Sequence, residues 1–323
     1  MDERCYSGWL RAAQITILVG LLTSVVLAET PNGSIFFHVL QKFAHPAVFG
    51  LCSLLILSLR RRLSEGQRRS NAIDYAPAFA ITLALGAATE IAQHFMHRDP
   101  SFADFWSDGL GAVTALSAQW LLATRMGRPR RQGIRLVAGL VCACGLAVAI
   151  APLAWCTAAY ANRDLRFPVL WQLNSALDLY FLKAQPCKTG SGPRWWKIYG
   201  SPVSLCVPLP SSDGDPGLAL EEPYPDWEGQ SVLTIDVSNP TPSPLRLTVR
   251  VHDRNHNQQH EDRFNRGYFI AGSMRRVIVV PLEEIAAAPR GRRMDLHHIA
   301  HVGIFRSGGT GDGSLLLHRI SLQ

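Results

Sequence analysis

Between Thr89 and Ala112 the sequence reads TEIAQHFMHRDPSFADFWSDGLGA. Five of its side chains could do chemistry. Glu90, Gln93 and His94 close one apolar segment, and Asp104 and Asp108 open the next. The first three stand at i, i+3 and i+4, one face of a helix, and the two aspartates at i and i+4. A carboxylate and an imidazole in an apolar setting can exchange a proton, so Glu90, with His45 or His94, and Asp104 are candidates for general acid/base work. The same groups could hold a charged head group. They could equally be structural, with Lys42 and Arg98 neutralising Glu90 and Asp104 to fix helix packing. His45, Glu90, His94 and Asp104 would also allow a metal chemically, but no motif fixes a ligand geometry and no metal is assigned.

These residues need apolar elements to position them. The chain has 323 residues, 47% of them hydrophobic, and its two halves differ. Residues 12 to 156 are mostly Ala, Leu, Val, Ile and Gly, in five blocks. Helices are expected near 12–28, 36–59, 76–95, 104–124 and 136–155, each close to the roughly 20 apolar residues that cross a bilayer. The second reaches that length only by starting near Phe36, which puts Lys42 and His45 inside it. Ionisable groups at such depth are costly unless they face a bundle interior, a partner or a wet cavity.

Orientation follows from the arginines. The loop after the second block carries Arg60, Arg61, Arg62, Arg68 and Arg69; the loop after the fourth carries Arg125, Arg128, Arg130, Arg131 and Arg135. Cytoplasmic loops hold the Lys/Arg excess. The expectation is a multi-pass protein of a bacterial-type inner membrane with a cytoplasmic N-terminus. Five spans then place the second half outside the cytoplasm. These loops account for most of the net charge of +7, and nothing else supports a nucleic-acid partner. Arg4 and Arg11, an apolar run and Val26-Leu27-Ala28 also fit a cleaved signal peptide, which would leave the later orientation unchanged.

In this arrangement Glu90 lies 14 residues beyond Ala76, about 21 Å up a helix. Lys42, His45, Glu90, Gln93, His94, Arg98, Asp104 and Asp108 then converge on the outer side as one polar pocket.

The second half alternates with period two, the mark of half-buried strands. Leu233, Ile235 and Val237 share one face. Leu245, Leu247, Val249 and Val251 share another, with Arg246, Thr248, Arg250 and His252 opposite. Asn239-Pro-Thr-Pro-Ser-Pro244 is a turn. Further strands are expected at Tyr268–Ile270, Val277–Leu282, Val302–Phe305 and Leu315–Leu322. A helical turn is expected at Pro281–Ala288, and between Val207 and Pro225 a loop with one or two short strands. Trp195, Trp196 and Trp227 are candidate core anchors. The fold class is therefore an α-helical membrane bundle over 1–157 followed by an all-β sandwich over 158–323.

Cys187 and Cys206 fall in the second half, where a disulfide is permitted. His252, His256, His260, His297, His298 and His301 invite a metal, but His256 and His260 lie in an Asn/Gln-rich loop that reads as solvated. There is no serine elbow, phosphate-cradling glycine loop or dinucleotide fingerprint, and Gly308–Gly313 is a turn.

Lys42-Phe43-Ala44-His45 with Phe49, Thr89-Glu90-Ile91-Ala92-Gln93, Arg98, Ser101, Asp104, Asp108 and Gly111 resemble the signature of the VanZ-like family, over roughly residues 12–125. Gln41 stands where that family often has aspartate, and Asp108 where asparagine is common. The resemblance implies a small integral membrane protein, and it brings no assigned reaction with it.

The second half, through Asp226-Trp227, Leu233–Val237, Asn239, Arg250–Asp253, Asp262-Arg263-Phe264, Pro281-Leu282, Met294-Asp295-Leu296 and Ile304-Phe305, resembles a galactose-binding-type jelly roll of the carbohydrate-binding kind. That resemblance implies a fold more than a ligand. Arg250, His252, Asp253, Asp262 and Arg263 are the candidate sugar contacts, or an ordinary wet sheet face. A structural calcium is compatible with such a fold, though no ligand set for it stands in the sequence; no other cofactor is expected.

The combined expectation is a binding protein of the cell envelope rather than an enzyme. Its partners would be membrane lipid and an envelope polysaccharide or lipid-linked saccharide. The alternatives are an acid/base enzyme acting on a lipid-linked substrate, and a scaffold docking another envelope protein.

Overall fold

Every apolar block forms a helix: α1 (Glu3–Leu27), α2 (Ile35–Leu63), α3 (Tyr75–Phe95), α4 (Phe102–Ala123) and α5 (Gln132–Leu165). The computed structural model describes residues 3–27, 34–63, 73–96, 101–124, 132–185, 197–199, 204–210, 216–308 and 313–323. Arg98, Cys187, Trp195 and Trp196 lie outside the described residues, as do Arg68, Arg69, Arg125, Arg128, Arg130 and Arg131. The Cys187–Cys206 pairing therefore stays an expectation. The chain divides into two units, Met1–Cys156 and Thr157–Gln323.

α1, α2, α3 and α5 are each long and apolar enough to cross a membrane. α4 has the length, at 22 residues, but Asp104, Ser107, Asp108 and Gln119 lower its hydropathy. Its outward side is nonetheless apolar, since Phe102, Trp106, Val113 and Leu122 are exposed while Asp108 is buried. α1 and α5 expose Ile15, Ile17, Val19, Leu136, Val137 and Leu140, side chains that water would disfavour and lipid would not.

α2 and α4 cross very closely. A Cβ on Gly111 would lie 2.0 Å from the Pro46 carbonyl oxygen, and one on Gly50 would lie 3.1 Å from the Gly111 oxygen. Only glycine lets the two backbones approach so far, the usual device of packed membrane helices. Pro46 adds to this by removing the amide that would bond the Lys42 carbonyl. At its start α4 is capped by Ser101, whose Oγ accepts from the Asp104 amide at 3.2 Å, which satisfies one of the first-turn donors. At the arginine-rich end Arg61 stacks on Tyr75 and donates to its hydroxyl at 3.0 Å, while Arg135 donates to the Thr124 carbonyl at 2.7 Å.

The second unit contains β1 (Val169–Trp171), β2 (Leu182–Gln185), β3 (Lys197–Tyr199), β4 (Ser204–Leu209), β5 (Gly217–Glu221), β6 (Val232–Asn239), β7 (Leu245–Asp253), β8 (Phe264–Ile270), β9 (Met274–Pro281), the short helix α6 (Leu282–Ala286), β10 (Ile299–Arg306) and β11 (Gly313–Leu322). One sheet runs β3-β4-β11-β6-β9, with β1 also paired to β11; the other runs β2-β5-β10-β7-β8. All pairs are antiparallel. From β4 to β11 the chain changes sheet at every step except one, the β7–β8 hairpin, where it stays in the same sheet. This wrapping is a jelly roll.

The alternation places Leu233, Ile235, Val237, Leu247, Val249 and Val251 fully inside, each worth about 1.5–3 kcal/mol of burial. Trp227 is also fully buried, and its indole donates to the Tyr224 carbonyl at 2.8 Å. Asn239 holds the proline turn, donating to the Ser243 carbonyl at 2.8 Å and accepting from Thr241.

Candidate functional site

In the helical unit the polar residues separate into an inner and an outer group. His45, Glu90, Gln93 and Asp108 are buried; Asp104 is half-buried; Lys42 and His94 are exposed. His45 Nδ1 lies 3.0 Å from Asp108 Oδ1, so the imidazole partners Asp108 rather than Glu90 or His94. Glu90 Oε2 accepts from the Ser101 amide at 2.8 Å, and Gln93 donates to the Val25 carbonyl at 3.3 Å.

Glu90, Gln93 and His94 share one helix face as expected, but His94 lies outside its buried part. The buried stripe of α3 is Ala78, Thr82, Gly86, Thr89, Glu90 and Gln93. At about 100° per residue Glu90 sits on the edge of that stripe, and His94 falls about 40° beyond it. Ligand atoms of His45, Glu90 and Asp108 all lie within 4.8 Å of one another. Glu90 Oε1 and Asp108 Oδ2 are buried without a hydrogen-bond partner among the described residues. Asp108 Oδ2 faces Gly86, where a Cβ would lie only 3.0 Å away.

Beside this cluster is a crevice of about 760 Å³ between α2, α3, α4 and α5. Phe43, Phe79, Leu83, Trp106, Leu110 and Val148 give it apolar walls, and Lys42 and Asp104 are among the polar groups on it. The aromatic trio Phe102, Phe105 and Trp106 packs edge-to-face and stacked at the start of α4.

In the second unit the candidate sugar contacts divide between the two sides of β7. Asp253 is buried, taken by Arg292: Nη1 to Oδ2 at 2.6 Å and Nη2 to Oδ1 at 2.8 Å. Arg292 Nε also donates to Asp262 at 2.5 Å. These bonds hold the Asp262 carboxyl well below the usual carboxylate range and raise the Arg292 guanidinium. Both aspartates thus have a structural partner that the sequence reading missed, since nothing about a loop arginine marks it as reaching two residues so far away.

On the other side of β7, Arg250 lies over the Phe305 ring at 4.6 Å, and its Nε donates to Asn265 Oδ1 at 3.1 Å. His252 stacks on His301 at 4.7 Å and on His256 at 4.5 Å. Gly303 leaves the space that Phe305 fills; a Cβ there would lie 2.4 Å from that ring. Burial, with repulsion from His252, Arg250 and Arg263, pushes His301 down to about 3. Burial also lowers His252, and it lowers Arg263. The Arg263 Nε is buried and unbonded among the described residues.

The loop expectation for His256 is corrected: its side chain is 2% exposed, and its Nδ1 lies 2.8 Å from the Asp262 carbonyl oxygen. His260 is exposed. His297 pairs with Asp226 and Glu228, and His298 with Asp295.

No family model matches the chain, and no curated protein matches it. Solved structures similar to it include an exo-beta-agarase, at 15% identity and TM-score 0.37, covering 48% of this chain and 24% of that one. A Family 11 carbohydrate-binding module from Clostridium thermocellum, in complex with a β-1,3-1,4-mixed-linked tetrasaccharide, is 15% identical at TM-score 0.32, covering 44% of this chain and 94% of the module. A carbohydrate-binding module specific for non-crystalline cellulose is 8% identical at TM-score 0.35, covering 49% and 93%. The chain spans about a quarter of the length of the agarase. At these scores the fold assignment rests on the strand order itself.

Proposed function

We propose that this chain is a VanZ-like integral membrane protein of a bacterial-type cell envelope that engages a saccharide through its jelly roll. The observation that carries this reading is the outer side of β7, β8 and β10. There Arg250 and Asn265 present amide and guanidinium groups beside the Phe305 ring, flanked by His252 and His301. Sugar hydroxyls pair with such planar donors and acceptors, while the buried Phe305 ring supports Arg250 from below. Asp253 and Asp262 support this surface from beneath, through Arg292, instead of touching a ligand.

The helical unit supplies the anchor. The N-terminus is cytoplasmic and the jelly roll extracytoplasmic, a reading supported by Arg60, Arg61 and Arg62 in the last turn of α2. The crevice beside Lys42 and Asp104 suits a lipid tail whose charged head lies at those two residues.

The test is binding of the full chain, in nanodiscs, to a panel of envelope polysaccharides and lipid-linked saccharides. Arg250→Ala is expected to lower affinity at least about tenfold, the usual worth of a lost charged hydrogen bond. Absence of binding across the panel overturns the reading.

A further inference from the structure

His45, Glu90 and Asp108 form a cluster that saccharide binding does not use. Each comes from a different helix, each is buried, and their ligand atoms lie within 4.8 Å of one another. Glu90 Oε1 and Asp108 Oδ2 are buried there and unpartnered among the described residues. No described lysine or arginine pairs with either carboxylate. Two such oxygens at the depth of a helix bundle are costly unless a proton or a counter-charge relieves them.

We propose that His45, Glu90 and Asp108 hold a divalent transition-metal cation. One imidazole and two carboxylates suit Zn²⁺, Mn²⁺ or Fe²⁺ better than soft-thiolate metals or the all-oxygen cations. With ligand distances of about 2.0–2.2 Å, donors on one tetrahedral ion lie about 3.3–3.5 Å apart. His45 Nδ1 and Asp108 Oδ1 are already 3.0 Å apart, and the widest pair need close by only about an ångström.

The surroundings support the site in two ways. Gly86 keeps the space beside Asp108 Oδ2 open. The Ser101 amide fixes the other Glu90 oxygen at 2.8 Å, the outer-shell bond that orients a ligating carboxylate. An ion here supplies a counter-charge that no described lysine or arginine provides, takes both orphaned oxygens and links α2, α3 and α4.

The test uses the full chain in detergent, purified on a tag without histidine, stripped with chelator and titrated with Zn²⁺ by calorimetry. One equivalent is expected, with affinity lowered at least tenfold in His45→Ala, Glu90→Gln and Asp108→Asn. Co²⁺ in place of Zn²⁺ should give visible d–d absorption in the wild type and none in His45→Ala. Should a variant fail to fold, the wild type decides: Zn²⁺ must raise its unfolding temperature and slow amide exchange in α2, α3 and α4. A wild type that binds no Zn²⁺ or Mn²⁺, or one equivalent retained at full affinity in Glu90→Gln and Asp108→Asn, overturns the proposal. Either result leaves saccharide binding untouched, because that depends on Arg250 and its neighbours.

Discussion

His45 and Asp108 meet at 3.0 Å across the α2–α4 crossing although 63 residues separate them in sequence. Asp108 is fully buried and His45 nearly so. Removing one partner leaves the other polar group stranded, a loss of about 3–5 kcal/mol for buried pairs. His45→Ala and Asp108→Ala should each lower stability strongly, and the double variant should fall well short of their sum. Helicity loss in a denaturing-detergent titration measures this. Additive losses would show that the two side chains are not coupled.

Gly111 makes that meeting possible. A Cβ placed 2.0 Å from the Pro46 oxygen must push α4 away from α2. Gly111→Ala should destabilise the helical unit by about 1–3 kcal/mol, the range for overpacking, whereas Gly133→Ala, where a Cβ meets nothing within 4 Å, should not. Thermal unfolding of the two variants side by side is the measurement, and equal midpoints would refute the crossing.

Arg292→Met should be among the most damaging changes in the jelly roll, because it leaves Asp253 buried with no counter-charge. A loss of about 3–5 kcal/mol is expected, seen as faster amide exchange in β7 and β10. The same network makes a pH statement. The Asp262 carboxyl is held below its ordinary value of 3.8, so its contribution is complete above that value and disappears as pH falls below it. Arg292→Met should abolish that part of the acid sensitivity.

His301 gives a pH dependence in a different window. Its pKa falls from 6.5 to about 3, so below 6.5 the unfolded chain binds a proton that the folded chain refuses. Stability should decline as pH drops from 6.5 toward 3 and level off beyond, with a slope of at most about 1.4 kcal/mol per pH unit. His301→Asn should flatten this slope. Comparing exchange protection of β10 at pH 7 and pH 5 in both proteins measures it; an unchanged slope in the variant would remove His301 as the source.

Much of the fold was legible because period is a local property. Leu245, Leu247, Val249 and Val251 announce their inward face two residues at a time, and all four are buried. The expected strand around Val302–Phe305 exists and extends to Ile299–Arg306; its extra residues alternate less clearly. The candidate membrane site was legible as a neighbourhood and not as a geometry. Glu90 and Asp108 stood out as ionisable groups in apolar blocks. That His45 would face Asp108 depends on how closely Gly111 and Pro46 let two backbones pass, and no spacing along either helix encodes that distance. Likewise Asp253 and Asp262 looked like surface contacts until Arg292, some thirty to forty residues on, was seen to hold both.

The position of β11 has a consequence in time. It is the last strand of the jelly roll in chain order, yet it lies between β4 and β6 and also pairs with β1, the first. As the polypeptide emerges, the middle of that sheet is therefore the final part to arrive. Until Gly313–Leu322 has been delivered, β4 and β6 flank a gap and Leu233, Ile235 and Val237 lack part of their cover. Pairs such as β6–β9 and β7–β8 need nothing from β11, but β4 is joined to β6 only when that last strand inserts between them.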